Sequence, residues 1–204
     1  MHSSSDSLSP RQSWIAERRD AAVATFTAKI PGIYQADIEL EADVAAWATG
    51  RSDCPSLFLT GPIGVGKTHS AWQATRQWVH TQFGAHYRGT PVVESWRSTA
   101  LFDALRPDAD GNSGRAMVKH LQRVDLLFID DLAAARPSSW TQERLFEIFD
   151  ERYINRRPVL VTCDVLPSAL AEVTGDRVRS RLAEMCRGGV VLLQGADRRR
   201  SAAA

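Results

Sequence analysis

The residues with the clearest chemistry are Gly61, Pro62, Ile63, Gly64, Val65, Gly66, Lys67 and Thr68. They follow the G-x-x-x-x-G-K-[ST] spacing between a short apolar run, Leu57-Phe58-Leu59, and a helical pattern. Each residue type has a reason. Glycines let backbone N–H groups close around an anion without Cβ clashes. The start of the next helix adds further N–H groups and the positive end of its dipole. Lys67 supplies a mobile point charge for β- and γ-phosphates, and the Thr68 hydroxyl is placed to ligate Mg²⁺. His69 follows directly and joins the candidate nucleotide-binding set. No N-K-x-D guanine-reading motif occurs, so the triphosphate expected here is ATP rather than GTP.

A second stretch, Val124-Asp125-Leu126-Leu127-Phe128-Ile129-Asp130-Asp131, is a continuous apolar run ending in two carboxylates. Such a run reads as a strand buried on both faces. Its carboxyl end is where open α/β sheets bind ligands. Asp130 is expected to hold the Mg²⁺ that bridges the β- and γ-phosphates. Asp131, one step on, is expected to polarise or orient an attacking water.

The elements that must position these groups alternate. Strands are expected at 57–59, 90–96, 124–131, 159–162 and 190–193, separated by helical patterns. Helices are expected over 11–28, 38–48, 68–83, 98–105 (capped by Ser98 or Thr99), 114–122, 140–153, 167–172 and from 175 onward. Leu145, Phe146, Ile148 and Phe149 are expected on the buried face of 140–153. This is an α/β protein of the P-loop NTPase class, with a five-stranded parallel sheet and helices on both faces. Residues 1–29 are expected to form a Ser-rich disordered segment plus a helical arm, 30–195 the ATPase domain and 196–204 a basic, small-residue tail.

The chain has 204 residues and a formal net charge of +1, so no global basic field points to nucleic acid. A DNA contact needs a local patch, for which Arg88, Arg97, Arg115 and Lys119 are candidates, with Trp96 as a stacking surface. No apolar run approaches the ~20 residues that span a bilayer, and the first residues are polar, so a cytoplasmic protein without membrane contact is expected. Cys54, Cys163 and Cys186 are odd in number and never in C-x-x-C pairs; they read as small buried residues.

These motifs, taken together, resemble the AAA+ ATPases of the DnaC/DnaI helicase-loader type and the related IstB-like transposition helpers. The resemblance rests on Gly61 to His69, on Leu126-Leu127-Phe128-Ile129-Asp130-Asp131-Leu132, on Ala135 to Trp140 with Glu143, on Asp150-Glu151-Arg152-Tyr153-Ile154-Asn155, and on Gly175-Asp176-Arg177-x-x-Ser180-Arg181-Leu182. It covers about 30–194. It implies a sheet in which the strand before the phosphate loop lies beside the last strand. It implies that Arg181 is an arginine finger reaching a neighbouring subunit's γ-phosphate, accompanied by Arg177, so that the protein is a self-oligomer with ATP at its interfaces. The family's sensor asparagine falls at Asp164, a carboxylate that cannot donate to a phosphate unless protonated. The C-terminal helical lid of typical members is expected to be absent or much reduced.

The function implied is ATP-driven loading or remodelling of a replicative helicase on single-stranded DNA. Two alternatives stand beside it. One is a transposition helper acting on duplex DNA; the other is a non-hydrolysing ATP switch, suggested by Asp164. A small-molecule kinase is disfavoured by the paired acids and by the arginines after the fourth strand.

Overall fold

The computed structural model describes residues 9–83, 89–106 and 113–197. The first helix, α1 (Pro10–Thr27), opens with a reciprocal cap: Gln12 N–H donates to Ser9 Oγ at 3.4 Å and Ser9 N–H to Gln12 Oε1 at 2.8 Å. A 3₁₀ turn, Gly32–Tyr34, leads to α2 (Ala42–Ala48). This helix is shorter than the expected 38–48. The Glu41 carboxylate accepts from Asp43 N–H and Val44 N–H and so sets the start. Leu40 lies ahead of the helix and still packs on the core.

The alternating α/β layout then unfolds in order: β1 (Leu57–Thr60), α3 (Lys67–Gln82), β2 (Val93–Arg97), α4 (Ser98–Ala104), α5 (Ser113–Arg123), β3 (Leu126–Asp130), α6 (Ser139–Ile154), β4 (Val159–Thr162), α7 (Ala171–Thr174), α8 (Asp176–Met185) and β5 (Val190–Leu192). Strand β2 starts later than expected, after Pro91, which has no N–H to give a ladder. Ser98 does not cap α4; the N-cap position is Arg97, and the Ser98 hydroxyl is used elsewhere.

The strands pair in parallel in the order β2-β3-β4-β1-β5. As expected, β1 lies beside the last strand. Alternation along each strand feeds two cores. Leu57, Leu59, Leu126, Phe128 and Leu160 face the layer of α1, α2 and α3. Phe58, Leu127, Ile129, Val159 and Val161 face the layer of α4, α5, α6 and α8. Each such side chain, fully buried, contributes about 1.5–3 kcal/mol, and a one-residue slip would exchange every residue between the layers. On α3, Ala71, Ala74, Trp78 and Val79 are buried as their spacing predicts.

Arg152 is the largest fully buried side chain. Its guanidinium donates to the carbonyls of Leu121, Val124, Asp125 and Pro158 at 2.7, 2.8, 3.3 and 2.6 Å. One side chain of α6 thus ties the end of α5 to the starts of β3 and β4. Phe146, expected in the core, is only half-buried: it packs at the core's edge, where an arginine of α8 covers its ring.

Candidate functional site

The phosphate loop joins β1 to α3 at the carboxyl edge of the sheet. Val65 is buried in the core and anchors the loop, while Ile63 at the tip is 68% exposed. Gly66 is the N-cap of α3 with φ 103°, a conformation side chains avoid, and it offers no side-chain cap. The first N–H groups of α3 therefore meet no capping side chain, which leaves them suited to an anion. The Lys67 ammonium arches over its own loop and donates to Gly61 O at 2.7 Å and Pro62 O at 3.0 Å.

Next to this loop, one carboxylate oxygen collects two hydroxyls. Thr68 Oγ1 donates to Asp130 Oδ1 at 2.9 Å, and Thr162 Oγ1 donates to the same oxygen at 2.7 Å. Thr162 also accepts from Asp131 N–H at 2.8 Å. The Asp131 carbonyl in turn accepts from Ser98 Oγ at 2.6 Å. Asp131 has φ 56°, in the left-handed region where Asp and Asn are tolerated. The apolar run of β3 thus delivers Asp130 and Asp131 to the start of α3 and the end of β4, with the Asp130 carboxylate held by two hydroxyls and Asp131 held through its backbone.

The acids influence one another. Desolvation by the surrounding walls pushes the Asp131 carboxyl above its ordinary value, repulsion from Asp164 and then Asp130 adds to this, and Lys67 pulls the other way. Asp164, after β4, therefore sits within electrostatic reach of Asp131. Thr68 and Asp130 together present hard oxygen donors. These suit Mg²⁺, which takes one or two protein ligands and keeps its remaining places for water and phosphate. Among the described residues no cluster of three or more His, Cys, Asp or Glu side chains suggests a different metal centre.

The other expected residues lie further out. His69 turns away from the loop: its Nε2 is 2.7 Å from Ala36 O and its ring packs against Tyr34, fastening the 3₁₀ segment to α3. Arg177 and Arg181 both project from α8 onto α6. The Arg177 guanidinium lies 3.6 Å over the Phe146 ring. Arg181 Nε donates to Asp150 Oδ1 at 2.6 Å, and its guanidinium covers Tyr153 at 4.8 Å. Arg97, Arg115 and Lys119 are exposed, and Arg88 lies outside the described residues. Trp96 is not the open stacking surface expected: it is half-buried and packs on the core beneath α4–α6. A cavity of ≈ 90 Å³ beside Asp130 is walled by Tyr34, Trp72 and Phe128, with Arg97 at its rim.

Thr162 and Ser98 were not among the sequence candidates. Thr162 carries a weak signal, a hydroxyl closing the apolar run of β4. Ser98 carries none, since a serine opening a helix reads as a cap.

Compared with known families, residues 25–188 match the model of the Bacterial DnaA ATPase domain. The chain belongs to that family. It is thus a DnaA-like AAA+ ATPase domain of the replication-related group, and its likeness to the helicase-loader type is one of fold. Among curated relatives of this DnaA-family domain, the phage-like element PBSX protein XkdC of Bacillus subtilis (strain 168) is 27% identical over 146 residues, covering 69% of this chain and 51% of that protein. The chain spans about half the length, or less, of the first curated relatives it matches. Two solved structures share the fold. One is replication initiator DnaA bound to AMPPCP and single-stranded DNA, with TM-score 0.59, 22% identity, and coverage of 76% of this chain and 45% of that one. The other is the DnaC helicase loader, with TM-score 0.56, 19% identity and 92% of each chain covered. Among the described residues no helix is long and apolar enough to cross a membrane.

Proposed function

We propose that this chain binds and hydrolyses ATP as a cytoplasmic AAA+ protein of DNA replication, loading or remodelling a replicative helicase on single-stranded DNA. The observation that carries the reading is the convergence of Thr68, Asp130, Thr162 and Asp131 beside the phosphate loop. The DnaA relative whose structure holds AMPPCP and single-stranded DNA, and the helicase loader that shares the fold, support the choice of ligands.

In this reading the N–H groups of 61–68 and the start of α3 hold the triphosphate. Lys67 exchanges its loop carbonyls for the β- and γ-phosphates. Thr68 and Asp130 would hold Mg²⁺, which when bound would neutralise negative charge on the phosphates. Asp131, fixed through both its N–H and its carbonyl, orients the attacking water. Arg181 leaves Asp150 to meet the γ-phosphate of a neighbouring subunit, with Arg177 alongside, so that turnover requires self-assembly.

The test is steady-state ATP hydrolysis over a range of protein concentrations, with and without single-stranded DNA. More-than-linear dependence on protein and stimulation by single strands are expected. Lys67→Ala is expected to abolish tight ATP binding; unchanged affinity would sink the phosphate-loop assignment. A second reading, an ATP-dependent switch without turnover, is favoured by one observation: Asp164 brings a carboxylate toward Asp131 where the family's asparagine would donate. Tight binding with no hydrolysis under any of these conditions selects it. A preference for duplex over single-stranded DNA would point instead to a transposition helper.

A further inference from the structure

The chain leaving β5 runs back along the phosphate loop. Leu193 N–H donates to Thr60 O at 2.8 Å. The Leu193 carbonyl presses on Gly61 so closely that a Cβ there would overlap it. Two residues on, Gly195 approaches Val65: a Cβ built on Gly195 would sit 3.7 Å from Val65 Cγ2. Two further on, the half-buried Asp197 places its carboxylate in the volume that a side chain on Gly64 would fill. Alternate residues 193, 195 and 197 thus each touch the loop, at Gly61, Val65 and Gly64, and the last of them is an anion.

We propose that 193–197 is an autoinhibitory strap in which the Asp197 carboxylate opposes the triphosphate at the phosphate loop and is displaced when nucleotide enters. The inference rests on the ATP-binding reading above. A loop built from N–H groups, a helix start and Lys67 attracts any anion that reaches it. A carboxylate delivered by the protein itself needs no concentration to compete, whereas ATP does. A carboxylate held against the loop opposes the approach of further negative charge. Entry of nucleotide therefore moves the strap.

The experiment uses the full chain, a fluorescent N-methylanthraniloyl ATP with Mg²⁺, and the isosteric Asp197→Asn variant. The variant is expected to bind about five- to tenfold more tightly than the natural chain, the effect of removing one opposed charge near the protein surface. Equal or weaker binding by the variant overturns the strap and leaves the ATP reading intact. Absence of binding by both proteins overturns the ATP reading and the strap with it. A second measurement needs no variant: saturating Mg²⁺–ATP analogue is expected to speed amide hydrogen exchange over 193–197, followed by mass spectrometry. Exchange that nucleotide leaves unchanged or slows overturns the displacement.

Discussion

The Thr162 hydroxyl donates to Asp130 Oδ1 at 2.7 Å while accepting the N–H of Asp131 at 2.8 Å. A single β4 side chain therefore sets the aim of one acid and the backbone of the next. Thr162→Val keeps the shape and deletes both bonds. It is expected to cost about 1–3 kcal/mol of stability, because the N–H of Asp131 loses its acceptor. Turnover is expected to fall about 10- to 100-fold through misplacement of the acids, with a smaller loss of ATP affinity. Urea denaturation and ATPase assays check both, and Thr162→Ser is expected to restore most of each.

Asp131 carries a pH signature. Its carboxyl is raised above 3.8, first by desolvation and then by Asp164 and Asp130. The folded chain therefore holds this proton more tightly than the unfolded chain. The resulting stability is fully present below the unfolded value and is lost as pH rises through the raised folded value. Asp131→Asn, which tolerates the φ of 56°, is expected to be more stable than the natural chain at neutral pH, with the difference narrowing toward acid. Its ATP turnover is expected to drop by about 10²-fold or more. Denaturation at a series of pH values separates the two effects.

Asp164→Asn removes the larger of the two repulsions on Asp131. The acid limb of the ATPase pH profile is expected to move to lower pH, and turnover at neutral pH to rise. A profile that does not move would remove Asp164 from the electrostatics of the site.

Arg181→Ala is expected to leave ATP binding intact and to lower turnover by about 10³-fold. Mixing it with Lys67→Ala is expected to regain activity, since one partner contributes the loop and the other the arginine. Failure of the mixture would place Arg181 in its own subunit's structure, where Asp150 and Tyr153 already hold it.

Arg152→Leu is expected to destabilise the fold by about 3–5 kcal/mol, because several buried carbonyls lose a charged donor together. Arg152→Lys is expected to recover only part of this, since an ammonium cannot reproduce the planar fork. Thermal unfolding of both variants provides the measurement.

How much of this the sequence reveals depends on the reach of each interaction. Gly61 to Thr68 and the acids Asp130 and Asp131 are legible because their meaning is local: a spacing, a strand end, a helix start. The five strands and their order are legible from alternating patterns and from the family likeness. Thr162 is not, because its role exists only once Ile129 and Val161 pair in register. Ser98 misleads for the same reason: an N-terminal serine reads as a cap, yet its hydroxyl is taken by a carbonyl 33 positions away. Trp96 misleads because exposure depends on which face of β2 lies under α4, and the strand began three residues later than its pattern suggested.

The bond between Ser98 and Asp131 has a mechanical consequence. Asp131 is gripped from both sides, its N–H by the centre of the sheet and its carbonyl by the first residue of α4. Any rotation of that peptide must break a bond or drag a partner with it. When the Thr68 hydroxyl is drawn off Asp130, the strain has a defined exit: across Thr162 and Asp131, and outward to the edge helix that begins at Ser98. The acids beside the phosphate loop are thus joined through one peptide to the start of α4, next to the exposed Arg97.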